Sequence, residues 1–284
     1  MARRRWRWPS SRCAEVRRGL MLACALSALA FPAAGQSDLS AIVAAASGAD
    51  VVILGEVHDN PGHHARQADV LDGIGPSAIV FEMVSAEEAQ RITPDIAAEA
   101  QALADLLDWA NSGWPDFSYY APLFAYGAEV PVYGALIGRE AAQGAFAQGA
   151  AAVFAGDAAR FGLTEALPDA EQAAREAEQM AAHCDALPPD ILPGFVEAQR
   201  LRDAALAAAA LAALDAHGGP VAVITGNGHA RRDWGVPALI ARAAPEVSVF
   251  SLGQFEAEPE GDVPFDLWAL SGPVDRPDPC AAFR

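Results

Sequence analysis

The chain lacks lysine altogether, so all 19 basic residues among its 284 are arginine. Basic residues are also scarce beside the 37 acidic ones. Seven arginines and Glu15 fall in residues 1–35, which leaves 12 arginines against 36 acidic residues, a net charge of −24, for the rest. So acidic a chain is repelled by nucleic acid and by anionic membrane surfaces. We therefore expect no nucleic-acid partner.

Long hydrophobic runs are also missing. The N-terminal apolar run, residues 20–31, has 12 residues, whereas a transmembrane helix needs about 20. Seven arginines precede this run and Ala33-Ala34-Gly35 follow it, a pattern typical of a cleaved secretory signal. The sequence predicts a signal peptide over residues 1–35, cleaved near Gly35/Gln36, and a periplasmic protein. An uncleaved N-terminal anchor is the alternative, and a lipoprotein anchor at Cys24 is disfavoured because the residues before it match poorly.

Cysteine is rare, and two of the four cysteines lie in the predicted signal peptide. Cys184 and Cys280 remain. In an oxidising compartment such a pair suggests a disulfide between the C-terminal tail and the middle of the chain, and two separate thiols are the alternative. Hydrophobic residues make up 52% of the chain, enough for a sizeable core. We expect residues 36–284 to form a single domain.

Short β-branched runs alternate with helical patterns in the first half of this domain, which favours an α/β fold with a mostly parallel central sheet and flanking helices. The predicted strands are Asp50–Leu54, Ala78–Glu82, Val130–Tyr133, Val221–Thr225, Val247–Leu252 and Phe265–Leu270. The predicted early helices are His63–Leu71, Ala86–Ile92, Ile96–Ala110 and Tyr119–Tyr126. Between the third and fourth strands, about residues 138–217, the patterns Glu140–Phe154, Ala170–His183 and Gly194–Ala216 predict a helical insertion that could cap the end of the sheet.

Two matched Gly-x-x-His turns follow predicted strands, Gly55–His58 after the first and Gly226–His229 after the fourth. Ligands of open α/β sheets bind just outside the carboxyl ends of the strands. Glu56 and His58 are two residues apart, so in extended geometry their side chains point the same way. If the two strands are neighbours, His58 and His229 face one cleft. Each histidine alone is more often structural than functional, but together the turns predict one shared site.

Other polar and aromatic residues are candidates for the same site. Glu82 ends the second strand, where a carboxylate is costly unless it is paired or functional. On the last helix of the insertion, Gln199, Arg202 and Asp203 share a face, where Arg202 could bind a carboxylate or form an ordinary ion pair. The loop 112–122 carries Trp114, Phe117, Tyr119 and Tyr120, which could contact a flat cofactor or simply pack.

These pieces occur in an order that resembles the ChaN-like haem-binding proteins over about residues 38–255. The resemblance is carried by Leu54–Pro61 with His63, His64 and Gln67, by Phe81–Met83, by Ser112–Pro115 with Tyr120–Pro122, by Ala182–Cys184 with Leu187-Pro188, by Ala198–Asp203, and by Thr225–Arg231 with Gly235–Pro237. It implies an α/β fold with a helical insertion and an exported role in haem or iron acquisition. Some members bind haem at a dimer interface through a tyrosine.

The resemblance therefore implies haem as cofactor and leaves a homodimer and peripheral membrane association open. The residues that would hold haem are His58, His64, Tyr119, Tyr120, Arg202 and His229. The wider superfamily includes Tiki-type metalloproteases and erythromycin esterases, which resemble this chain at the same turns. The alternative is thus a metal-dependent or His/Glu hydrolase, in which four residues are catalytic or ligate a divalent metal ion: Glu56, His58, Glu82 and His229. An inert scaffold for another protein would leave these residues without a role.

Overall fold

The computed structural model describes residues 37–278 and 280–281. The predicted signal peptide and its cleavage site at Gly35/Gln36 lie outside these residues. Within them, no helix is long and apolar enough to span a membrane.

All six predicted strands are present, and they form one sheet in the order β3-β2-β4-β1-β5-β6. Every neighbouring pair is parallel. The strands are β1 Val51–Glu56, β2 Ala78–Phe81, β3 Val132–Gly134, β4 Val221–Gly226, β5 Val249–Phe255 and β6 Leu267–Leu270. The predicted α/β fold is confirmed.

The sheet is buried on both faces, as a parallel sheet must be. Successive residues of β1 alternate between two apolar clusters, so that Val52 and Leu54 pack on one side and Val51 and Ile53 on the other. The helices that cover the two faces are α1 Leu39–Ala46, α2 Pro61–Ile74, α3 Ala86–Ala89, α4 Pro94–Ala97, α5 Ala100–Leu106, α6 Trp109–Ser112, α7 Phe117–Phe124, α8 Arg139–Gln148, α9 Ala150–Val153, α10 Asp169–Ala182, α11 Leu192–His217, α12 Asn227–Ala230 and α13 Val236–Ala243.

Two predicted helices are wrong in their extent. The pattern Ile96–Ala110 predicted one helix, but the chain forms the end of α4 and then α5 and α6. The break between α5 and α6 lies at Asp108, which adopts a left-handed conformation (φ 47°) that no helix continues through. The pattern Glu140–Phe154 is divided into α8 and α9 at Gly149, which has φ 90°. Both breaks are single-residue backbone features that apolar periodicity does not reveal.

The helical insertion is confirmed, since α8 to α11 all lie between β3 and β4. It does not simply cap the end of the sheet. The buried side of α11, including Leu201 and Leu206, packs with Val80 and Val223 in the apolar cluster on one face. Only the first part of α11 reaches the carboxyl ends of the strands, where it brings polar residues to the site described below.

The predicted pairing of the remaining cysteines is confirmed. Cys184, just after α10, and Cys280, near the C terminus, form a disulfide with their Cα atoms 5.5 Å apart. The bond joins residues 96 positions apart in the sequence. It ties the C-terminal tail to the helical insertion.

Candidate functional site

The two Gly-x-x-His turns lie side by side, because β1 and β4 are neighbours in a register that pairs Glu56 with Gly226. Both turns require glycine for close packing. A Cβ atom on Gly55 would lie 2.8 Å from the carbonyl oxygen of Leu252, and one on Gly226 would lie 3.0 Å from Nε2 of His58. His58 and His229 therefore follow neighbouring strands at the same edge of the sheet.

Glu56 is the hydrogen-bonding centre of the first turn and is only 2% exposed. Its Oε1 accepts hydrogen bonds from the hydroxyl of Tyr120 at 2.6 Å and from Nδ1 of His58 at 2.7 Å. Its Oε2 accepts one from Nε2 of Gln67 at 2.8 Å. The carboxylate thus fixes the ring of His58 so that Nε2 is the nitrogen directed away from Glu56.

The surroundings of Glu56 raise the pKa values of His58 and Tyr120. Burial alone would lower the pKa of His58, but the hydrogen bond to Glu56 and the charges of Glu82, Glu56 and Asp59 outweigh it and raise the pKa to about 9. Burial and the adjacent Glu56 raise the pKa of Tyr120 far above its ordinary value. At neutral pH His58 is therefore a cation, and Tyr120 is a neutral hydrogen-bond donor.

Glu82 lies between the two histidines, directly after β2. Its Oε2 accepts hydrogen bonds from the hydroxyl of Thr225 at 2.6 Å and from the backbone N–H of Gly226 at 2.8 Å. Its Oε1 faces Nε2 of His58 at 4.0 Å and Nε2 of His229 at 3.5 Å. Burial would raise the pKa of Glu82, but the two histidines and these hydrogen bonds lower it. Glu82 is therefore ionised at neutral pH.

His229, in the second Gly-x-x-His turn, is the central residue of the other half of the site and is 6% exposed. Its Nδ1 lies 2.6 Å from Oδ1 of Asp203 on α11, and the side-chain nitrogen of Gln199 lies 3.2 Å from the same Nδ1. Burial disfavours the charged ring, but Glu82 and Asp203 outweigh it and raise the pKa of His229. Burial raises the pKa of Asp203, whose second oxygen has no hydrogen-bond partner among the described residues.

The site is therefore built from two similar histidine–carboxylate pairs, Glu56–His58 and Asp203–His229, which direct Nε2 atoms at the single carboxylate of Glu82. In each pair the carboxylate holds Nδ1. The groups differ in access: the side chain of His58 is 34% exposed, whereas those of His229 and Glu82 are 7% and 10% exposed. A ligand or substrate reaches this arrangement from the His58 side.

The sequence profile of one protein family, described as "Haem-binding uptake, Tiki superfamily, ChaN", matches residues 42–240, which include all of these side chains. The chain belongs to this family. Comparison with curated proteins gives no match.

Two solved structures align with most of this chain. ChaN of Campylobacter jejuni, solved in a study of cofacial heme binding, aligns with a TM-score of 0.60 at 17% identity, over 79% of this chain and 88% of its own. The type III effector HopBA1 aligns with a TM-score of 0.46 at 15% identity, over 82% of this chain and 93% of its own. The TM-score of 0.60 establishes that this chain shares its fold with ChaN.

Two further histidines, His63 and His64, support the first turn. His64 is buried, and its Nε2 donates to the carbonyl oxygen of His58 at 2.8 Å. Nδ1 of His63 accepts the backbone N–H of Val57 at 2.9 Å. Both imidazoles thus brace the backbone around His58. Tyr119 stacks on His64 with ring centroids 5.9 Å apart, and it is half-buried, unlike Tyr120.

Arg202 is half-buried on α11, beside His229. It makes no ion pair or side-chain hydrogen bond within residues 37–278 and 280–281. Its charge is close enough to His229 to oppose the rise in the pKa of that histidine. The sequence left an ordinary ion pair open as an alternative for Arg202, and no such pair is present in this part of the chain.

Trp114 forms the aromatic boundary of the site. Its indole meets the ring of His58 edge-on, with centroids 5.0 Å apart and planes at 67°. Together with Trp109 it lines two cavities, one of about 670 Å³ towards Phe117 and Pro122 and one of about 390 Å³. Both volumes fall within the roughly 300–1,000 Å³ of typical small-molecule sites. The larger cavity has an aromatic wall formed by Trp109, Trp114 and Phe117.

A metal site is less well matched. Among the described residues, no group of three or more histidine, cysteine, aspartate or glutamate side chains is arranged to hold a metal ion.

Most residues of the site can be predicted from the sequence, but several of the hydrogen bonds between them cannot. Gln199 and Asp203 were correctly placed on one helix face, but their contact with His229 depends on how α11 crosses the sheet. Thr225 was read only as a strand residue, although its hydroxyl holds Glu82. A polar residue at the end of a buried strand was the one signal that could have indicated it.

Proposed function

We propose that this chain binds haem and serves in haem or iron handling outside the cytoplasm. The observation that carries the proposal is the family match, because residues 42–240 contain the whole site. ChaN of Campylobacter jejuni binds heme cofacially. The predicted signal peptide supports a periplasmic location.

Tyr119 is the better candidate for the iron ligand. The hydroxyl of Tyr120 is fully buried and donates to Glu56, and its high pKa opposes the phenolate that ferric iron requires. Tyr119 is half-exposed and lies on the same helix as the wall of the larger cavity. We assign iron ligation to Tyr119 and a supporting role to Tyr120.

The remaining candidates suit the periphery of haem. With a pKa of about 9, His58 carries protons on both ring nitrogens at neutral pH, so it is a hydrogen-bond donor and not a free ligand for iron. Arg202 supplies a guanidinium that has no carboxylate partner among the described residues, and such a group pairs well with a propionate. The aromatic wall at Trp114 and Phe117 supplies apolar contact with the porphyrin faces.

The test is a titration of the purified mature protein with haemin, followed by absorption spectroscopy. Wild type should show a shifted Soret band with saturable stoichiometry, Tyr119→Phe should lose the iron–phenolate spectrum, and Tyr120→Phe should keep it. A visible spectrum identical to that of free haemin at saturating haemin would contradict haem binding. Size-exclusion chromatography of the loaded and unloaded protein tests the homodimer that the family resemblance leaves open.

A second candidate function is supported by the two histidine–carboxylate pairs around Glu82. An ionised Glu82 with a protonated His58 at hand is suited to acid–base hydrolysis: Glu82 can take a proton from water, and His58 can give one to a leaving group. This candidate predicts esterase or peptidase activity that Glu82→Gln abolishes while haemin binding is retained. Assays with and without added divalent cations would also reveal any need for a metal. If the protein turns over neither esters nor peptides, this candidate function is excluded.

A further inference from the structure

The last part of the chain, residues 271–278 and 280–281, contacts the residues that follow His58 and is bonded to the helical insertion, and we call it the C-terminal strap. Arg276 holds its first half. Nε and Nη2 of Arg276 donate to the two oxygens of Asp59, each at 2.8 Å, and Nη1 and Nη2 donate to the two oxygens of Glu256, each at 2.7 Å. Paired, planar contacts of this kind are among the strongest that arginine makes.

The residues that the strap holds are part of the His58 turn. Asp59 follows His58 directly, and Asn60 is the N-cap of α2, its side chain accepting the N–H of Gly62. The side-chain nitrogen of Asn60 donates to Glu256 at 2.8 Å and to the carbonyl oxygen of Gly272 at 3.0 Å. The strap therefore fixes the end of the turn from which His58 projects.

The second half of the strap is attached to the helix beside the other turn. Cys280 is bonded to Cys184, which follows α10. On α10, Glu178 pairs with Arg231 at 3.1 Å, two residues beyond His229. The disulfide thus connects the strap to the helix that packs beside the His229 turn.

The two attachments are too close in sequence to move independently. Cys280 is four positions beyond Arg276, and a chain of that length spans at most about 14 Å. We propose that the C-terminal strap positions the His58 turn against the helical insertion, and that the Cys184–Cys280 disulfide locks it there. A dithiol reductant would release the lock by passing two electrons and two protons to the disulfide, which leaves two cysteine thiols and the oxidised dithiol. The site would then be held in its working geometry only in an oxidising compartment.

Hydrogen exchange of the ligand-free protein tests the proposal independently of any haem or hydrolase function. The amides to follow are those of Val57, bonded to Nδ1 of His63, and Asn60, bonded to the carbonyl oxygen of Val57. Arg276→Gln and Cys280→Ser should each speed their exchange by roughly five- to tenfold, about the factor that one ordinary hydrogen bond contributes. The amides of Ser47 and Ala49, at the opposite end of β1, should be unchanged.

Matched controls and a double variant make the outcome decisive. Arg91→Gln repeats the arginine substitution at an exposed position, Ala281→Ser places a serine at the exposed residue next to Cys280, and both should leave Val57 and Asn60 unaffected. If both anchors act through one strap, the double variant should match the larger single effect, because coupled sites are not additive. Unchanged exchange at Val57 and Asn60 would overturn the proposal, and so would an equal rise at Ser47 and Ala49, which would indicate general loosening.

Discussion

Asp203 and His229 form a buried pair although 26 positions and the strand β4 separate them: Oδ1 of Asp203 lies 2.6 Å from Nδ1 of His229. The pair is the counterpart of Glu56 and His58, which are neighbours in sequence and meet at 2.7 Å. One half of the site is therefore local, and the other depends on the position of α11 over the sheet.

Asp203→Asn should lower the pKa of His229. Removing the carboxylate takes away one of the charges that hold the ring protonated against burial, and an amide cannot replace that charge. An NMR titration of the His229 ring protons measures the change. Asp215→Asn, an exposed aspartate on the same helix, is the control, and an unaltered His229 titration in Asp203→Asn would refute the assigned role.

Tyr120→Phe should cost stability but not haemin binding. It removes one hydrogen bond to the buried carboxylate of Glu56, which retains His58 and Gln67, so the expected loss is about 1–2 kcal/mol in the free energy of unfolding. Urea denaturation measures this quantity. A loss near zero would mean that Glu56 does not depend on the phenol.

Glu82→Gln should be the most destabilising single change in the site. It removes the carboxylate that faces both histidines, which leaves buried positive charge uncompensated, and the expected loss at neutral pH is about 3 kcal/mol. Glu87→Gln, an exposed neighbour, should change the free energy of unfolding by less than about 0.5 kcal/mol. If the two variants prove equally stable, Glu82 is not paired as the structure shows.

Stability should fall as the pH rises through about 9. Because the pKa of His58 is raised above its ordinary value of 6.5, the bound proton stabilises the folded state fully below that value, and this contribution disappears as the folded protein loses the proton near pH 9. The measurement is the free energy of unfolding between pH 6 and 10. In His58→Gln the free energy of unfolding should fall less steeply between pH 6 and 10 than in the wild type. Equal slopes for the two proteins would argue against a raised pKa of His58.

The sequence was most informative where strands end. Gly55, Glu56, His58, Glu82 and His229 all sit at strand ends, and a parallel sheet brings such positions together whatever the loops do. The helices were harder, since the break at Asp108 comes from one left-handed residue inside an apolar pattern. The difference in burial between Tyr119 and Tyr120 could not be predicted either. Adjacent residues on a helix point in different directions, and which of the two becomes buried depends on how the helix packs.

The register between β1 and β4 also governs when the site forms. Glu56 pairs with Gly226, so about 170 residues must be made before the partner of the first turn exists. Contacts between such distant segments form slowly, because the intervening chain must be ordered at the cost of its entropy. The Glu56–His58 pair can assemble early, but Glu82 meets His229 only after β4 has joined the sheet. Ligand-binding competence should therefore appear among the last events of folding.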